Sequence, residues 1–115
     1  MKEIYNRLNV TPEQLADFCE KWHLIELSLF GSVLRDDFRA EGDDPSDIDV
    51  LYVNAPEARY GFAFFDLKEE LEHLFSRKID LLSKQGIQNS RNELRRKSIL
   101  ESARVIYAKG STVYR

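Results

Sequence analysis

The feature that most limits how this chain can fold is a run in which carboxylates alternate with aliphatic side chains, Asp47-Ile48-Asp49-Val50-Leu51-Tyr52-Val53. A period of two with β-branched content specifies a strand. Successive strand side chains leave on opposite faces, so Asp47 and Asp49 share one face with their Cα atoms about 6.5 Å apart, and Ile48, Val50 and Tyr52 share the other. The apolar face must be buried under helices, whereas two neighbouring carboxylates repel each other and lose stability on an apolar sheet unless a cation sits between them. A chain of 115 residues holds one such sheet and one core, which predicts a single domain over residues 1–115.

The other segments supply the layers. Thr11-Pro12-Glu13-Gln14 is a helix start, with Thr11 as cap, Pro12 at the first helical position and Gln14 closing a capping box. Leu15, Phe18, Cys19 and Trp22 then repeat at helical spacing over residues 12–22. Residues 24–30 alternate Ile25, Leu27 and Leu29 against Glu26 and Ser28 and read as a strand, ended by Gly31-Ser32. A short helix over residues 32–39 and a polar loop, Glu41-Gly42-Asp43-Asp44-Pro45, lead into the acidic strand. Phe64, Leu67, Leu71, Leu74 and Phe75 mark a helix over 63–75, Lys78-Ile79-Asp80-Leu81-Leu82 a short strand, and a Gly86 turn precedes a basic helix of roughly residues 88–108. The order α-β-α-β-α-β-α predicts a small α/β (α+β) domain with a mixed sheet of three or more strands and helices packed on one face.

Composition narrows the function. Hydrophobic residues are 43% and charged residues 32% of the chain, an ordinary globular balance, and no apolar run approaches the roughly 18 residues of a membrane span. Cys19 is the single cysteine and Met1–Arg7 lacks the apolar stretch of a secretory signal, so the expected location is cytoplasmic. Residues 1–76 hold 7 basic and 17 acidic residues, a net of −10, and residues 77–115 hold 10 and 3, a net of +7. Such a split fits acids gathered around a cation and bases facing a phosphate or an acidic partner, and equally fits two oppositely charged solvated faces.

Three carboxylates form the candidate chemistry. Asp47 and Asp49 are oxygen donors suited to Mg²⁺ or Mn²⁺ rather than zinc. If the strand holding Asp80 is a sheet neighbour, about 4.8 Å away, Asp80 joins them, and three carboxylates can hold two metal ions for in-line displacement at phosphorus. Gly31-Ser32, between a strand and a helix, offers free N–H groups and a close approach for a phosphate, with Arg35 one turn further on, able to reach that phosphate or a neighbouring carboxylate. An EF-hand is excluded, because Ile48 and Val50-Leu51 stand where its loop needs glycine and ligands. Taken singly, an Asp-x-Asp or a Gly-Ser is usually only a turn, so the ordered combination carries the information.

In that order, Leu29-Phe30-Gly31-Ser32 with Arg35, Ser46-Asp47-Ile48-Asp49, Lys78-Ile79-Asp80-Leu81-Leu82 and the closing stretch Ser98 to Tyr107 resemble the nucleotidyltransferase superfamily related to DNA polymerase β. Its signature is Gly-Ser, a spacer, Asp-x-Asp and a later third Asp. In size and pattern the chain is similar to the minimal nucleotidyltransferase (MNT) domains that act as antitoxins in HEPN/MNT toxin–antitoxin pairs, and the likeness spans nearly the whole chain. Fourteen residues separate Ser32 from Asp47, more than the family's usual spacer, with the surplus assigned to the Gly42–Pro45 loop, and Asp36 stands where many relatives carry glycine.

The resemblance implies transfer of AMP from ATP to a hydroxyl, with two Mg²⁺ ions (or Mn²⁺) and pyrophosphate leaving. Asp47 and Asp49 would bind the metals, and Gly31, Ser32 and Arg35 would hold the triphosphate. Asp80 would ligate the metal that activates the attacking hydroxyl and take its proton. The implied acceptor is a tyrosine of a HEPN ribonuclease toxin, a protein partner, with no direct nucleic-acid or membrane binding. Two other readings are a module that neutralises the toxin by binding alone, and a small-molecule nucleotidyltransferase, for whose second domain 115 residues leave no room. Elsewhere Cys19, Trp22 and the phenylalanines read as packing residues, and His23 and His73 as structural. The Arg91-Arg95-Arg96-Lys97 face is left as solvated, nucleotide-facing or partner-facing.

Overall fold

The computed structural model describes residues 2–34 and 47–109. A first helix, α1 (Lys2–Leu8), precedes the capped helix α2 (Pro12–Lys21). Thr11 Oγ1 accepts from Gln14 N at 3.1 Å while Gln14 Oε1 accepts from Thr11 N at 2.9 Å, the reciprocal pair that the spacing predicts. Strand β1 (Leu24–Phe30) runs into a 3₁₀ turn, Gly31–Leu34, and then come β2 (Ile48–Asn54), α3 (Ala63–Phe75), β3 (Ile79–Ser83), α4 (Lys84–Gln88), α5 (Glu93–Ser102) and β4 (Arg104–Ala108).

The four strands form one mixed sheet in the order β3-β2-β1-β4. β1 is antiparallel to both β2 and β4, and β2 is parallel to β3. The parallel pair needs a crossover, which α3 provides. On one face, Leu27 and Leu29 of β1, Ile48 and Val50 of β2 and Ile79 and Leu81 of β3 join residues of α1, α2 and α3: Ile4, Leu8, Leu15, Phe18, Cys19, Leu67, Leu71 and Phe75. A second, smaller core lies on the other face, where Phe30 and Leu51 meet Ile87 of α4 and Ile99 of α5. The sheet thus has a full helical layer on one side and two short helices over part of the other.

Several expectations change here. The basic helix over 88–108 is three elements, with α4 ending at Gln88, α5 at Ser102 and the rest in β4. Ala103 is already extended (φ −65, ψ 140), so the helix stops there and Val105, Ile106 and Tyr107 enter the sheet. Gly86 lies inside α4, whose cap is Ser83 Oγ accepting from Gly86 N at 3.3 Å. Phe62 and Phe65 are 91% and 66% exposed rather than core, because the buried stripe of α3 is Leu67, Leu71 and Phe75. The proposed helix over 32–39 is a 3₁₀ turn as far as Leu34, and residues 35–46, with Arg35, Asp36 and the polar loop, lie outside the described residues.

Candidate active site

The acidic run folds as its alternation dictates. Ile48 and Val50 are fully buried in the larger core, Asp49 between them is half-buried on the opposite face, and Asp47, directly before the strand, is exposed. Strand alternation carried back one residue gives Asp47 the same side as Asp49. Asp80 occupies the corresponding place in β3, exposed between buried Ile79 and Leu81. The parallel register sets Asp49 directly beside Asp80, with Ile48 beside Ile79 and Val50 beside Leu81. On its other flank Asp49 pairs with Phe30, the last residue of β1. One row across the sheet therefore reads Asp80, Asp49, Phe30, and it ends at the Gly31 turn.

Gly31 is required at that turn for two reasons. Its φ is +76°, a conformation that L side chains rarely adopt, and a Cβ placed there would fall inside contact distance of Asp49 Oδ2 and 3.1 Å from Asp49 Cγ. The backbone at Gly31 and the Asp49 carboxylate are packed face to face. A Gly-Ser motif and an Asp-x-Asp motif well separated in sequence are thus one site in space, and Ser32 lies in the same turn.

The residues fit a divalent cation in donor type and in backbone position. All three are hard carboxylate donors, and Asp49 and Asp80 stand on adjacent strands, about 4.8 Å apart. As oriented, however, no group of three or more His, Cys, Asp or Glu side chains among the described residues is disposed to hold a metal ion.

The site has a wall that the sequence did not disclose. A cavity of about 410 Å³ opens beside the Gly31 turn, bounded on one side by Phe30, Gly31 and Leu34 and on the other by Ser98, Ser102 and Arg104. The last three were hidden because residues 88–108 read as one helix. Their signal is the i, i+4 spacing of Ser98 and Ser102, which puts both hydroxyls on one face of α5.

Other candidates take structural places. Cys19 is fully buried, and burial, followed by the charge of Glu20, pushes its thiol up to about 12, so it stays protonated and inert. His73 is an exposed residue of α3 with its Nε2 3.8 Å from Glu69 Oε1. His23 caps the turn after α2 with φ +56°. Trp22 Nε1 donates to Glu70 Oε2 at 3.0 Å, an edge residue of the core. Of the basic face, Arg91, Arg95 and Lys97 are exposed, and Arg96 donates to Ser90 O at 2.7 Å. No helix among the described residues is long and apolar enough to cross a membrane.

Comparison with known proteins agrees with this geometry. Among solved structures, a minimal nucleotidyltransferase is 26% identical, with 81% of this chain and 86% of that chain covered and a TM-score of 0.56. A toxin–antitoxin crystallised with AMP-PNP is 15% identical, with 88% and 76% covered and a TM-score of 0.57. The MNT antitoxin complex with a tri-AMPylated HEPN toxin from Shewanella oneidensis is 16% identical, with 84% and 69% covered and a TM-score of 0.54. The last two establish likeness of fold. No functionally curated protein matches the sequence. The profile of the nucleotidyltransferase domain matches residues 12–106, from the first residue of α2 to the third of β4. With Gly31, Asp49 and Asp80 set side by side in that span, the chain belongs to the nucleotidyltransferase domain family.

Proposed function

We propose that this protein is an antitoxin that transfers AMP from ATP to a tyrosine hydroxyl of a HEPN ribonuclease toxin and so silences it. The observation that carries the reading is the register of Asp49 beside Asp80 at the end of a sheet where Gly31 leaves room for nothing but the carboxylate. Fold likeness to MNT antitoxins, one of them with an AMPylated HEPN toxin, supports the choice of acceptor.

In this reading Asp47, Asp49 and Asp80 hold divalent metal, which would supply charge neutralisation at the phosphates and a more acidic acceptor hydroxyl. The Gly31-Ser32 turn, with Arg35, receives the triphosphate. Asp80, exposed on the outer strand β3, faces the side from which a protein acceptor can approach, and takes the proton of the tyrosine hydroxyl. The hydroxyl oxygen bonds to the α-phosphorus, the bond from that phosphorus to the bridging oxygen breaks, and pyrophosphate departs. A bulky anion on the toxin's tyrosine would then repel the RNA backbone.

The test is incubation of the protein with Mg²⁺, α-labelled ATP and a purified HEPN partner. Label should appear on the partner with wild type and vanish with Asp49→Ala or Asp80→Ala. Undiminished labelling by those variants defeats the assignment. Full neutralisation by unlabelling Asp80→Ala would instead make the protein an antitoxin by binding alone.

A further inference from the structure

We propose that this chain associates head to tail with a second copy of itself, the outward face of α3 in one copy docking on the outward face of α5 in the next. The proposal is independent of the nucleotidyltransferase reading above. Among the described residues the large apolar side chains left in solvent are Phe62, Phe65 and Leu94, the last 83% exposed. A lone exposed apolar residue is ordinary, but these three fall on two helix faces of opposite charge. On α3, Phe62, Phe65, Asp66 and Glu69 recur at i, i+3, i+4 and i+7, an exposed stripe opposite the buried Leu67, Leu71 and Phe75. On α5, Leu94 stands with Arg91 just before the helix, Arg95 beside it and Lys97 one turn on, all exposed. Residues 62–73 carry four acids and one lysine, and residues 91–101 carry four bases and two acids.

Charge and position select this pairing. Two α3 faces set together would bring Asp66 and Glu69 against their own kind, and two α5 faces would oppose arginines, so neither patch suits itself. Set against each other they match, two phenylalanines to a leucine and carboxylates to guanidinium and ammonium groups. α3 packs on the larger core and α5 on the smaller one, on opposite sides of the sheet, so their outward faces point apart in one molecule and meet only between copies. Contact between unlike patches does not close in a pair, and each pair keeps one patch of each kind open for a further copy. The α3 anchor is preformed: Phe65 packs edge-on to Phe64 with 6.1 Å between ring centroids, and Phe64 packs on Tyr52 of β2 at 5.9 Å. Little side-chain freedom is then lost on docking. Glu70 and Glu72 are engaged within the molecule, by Lys21 and Trp22 and by Ile79 N. Asp66 and Glu69 are exposed, the latter 3.8 Å from His73 Nε2 at the surface.

The experiment is sedimentation velocity of the full chain at rising concentration, with circular dichroism to check that each variant is folded. Wild type should pass from monomers to species larger than two chains. Phe62→Ser with Phe65→Ser removes the α3 patch and Leu94→Glu the α5 patch, so each of these proteins alone should associate at least about tenfold more weakly than wild type. Mixed one to one, they hold one intact patch each and should form pairs of two chains and nothing larger. Raising NaCl from about 0.1 M to about 1 M shortens the reach of charge from about 10 to about 3 Å and should weaken the association. Wild type that stays monomeric at every concentration overturns the proposal, as do a mixture that forms no pairs and association that strengthens with salt. Wild-type dimers that survive Leu94→Glu but not the phenylalanine changes would mean that α3 meets α3, and they overturn it as well. So does a monomeric wild type whose capture of a HEPN partner is lost with Phe62→Ser and Phe65→Ser, which would give the aromatic face to that partner.

Discussion

Replacing Gly31 with alanine tests the central contact of the site. The backbone at φ +76° charges an L residue about 1–2 kcal/mol. The new Cβ also collides with Asp49 Oδ2 and stands 3.1 Å from Asp49 Cγ, so the carboxylate must swing away, at about 0.5–1.5 kcal/mol for a displaced side-chain torsion. Together these give a loss of about 1.5–3.5 kcal/mol. In an Asp49→Ala background the nearest remaining atom of that residue is its Cβ, 3.5 Å off and in ordinary contact, so only the backbone term of about 1–2 kcal/mol survives. The two substitutions should therefore be coupled by about 1 kcal/mol in a double-mutant cycle measured by urea unfolding of all four proteins. Nucleotide transfer should suffer far more than stability, since Asp49 is pushed from its place beside Asp80. Equal cost of Gly31→Ala in the two backgrounds, within about 0.3 kcal/mol, would mean that the turn and the carboxylate do not touch, and the site as described would be wrong.

Asp80→Asn should abolish labelling of a HEPN partner yet leave urea stability unchanged or raised by up to about 0.5 kcal/mol, because it removes a like charge beside Asp49. Burial raises the Glu70 carboxyl, but hydrogen bonds from Lys21 (2.5 Å) and Trp22 and the charge of Lys21 outweigh it and leave the group below its ordinary value. Its contribution is thus present above the ordinary carboxyl pKa of 4.5 and fades as pH falls through the lowered one, so the gap between wild type and Glu70→Gln, under about 1 kcal/mol at neutral pH, should close on acidification. Cys19 should resist a thiol reagent at pH 8 in the native protein and react at once in denaturant, and rapid native labelling would contradict its burial.

What could be read from the amino acids divides along physical lines. α2 was legible because its start and its buried stripe are local facts: the Thr11–Gln14 box and Leu15, Phe18, Cys19. The alternation of β2 was equally local. α1 was missed because seven residues with Ile4 and Leu8 as their buried pair carry too short a pattern, and the helix is held by tertiary contacts such as Tyr5 Oη donating to Ile106 O at 3.2 Å. The boundary between α5 and β4 was missed because Ile99, Ala103 and Ile106 fall at i, i+4 and i+7, a counterfeit helical stripe, with no glycine or proline to end the helix. The β-branched and aromatic run Val105-Ile106-Tyr107 was the contrary signal.

The same division governs the site. The facing of Asp47 and Asp49 follows from the period of a strand, so two side chains could be paired without knowing anything else about the fold. Adding Asp80 required one further fact, that α3 returns the chain parallel to β2, and a short apolar strand after a helix makes that the natural crossover. Arg104 required knowing that the last strand passes over the earlier ones to pair with the free edge of β1, beside Leu29. No periodicity encodes that choice, because both edges of a three-stranded sheet offer the same unpaired backbone groups. The placing of Asp49 beside Asp80 was therefore open to a reader of the sequence, and the residues that α5 and β4 bring beside the Gly31 turn became visible only once the strand order was known.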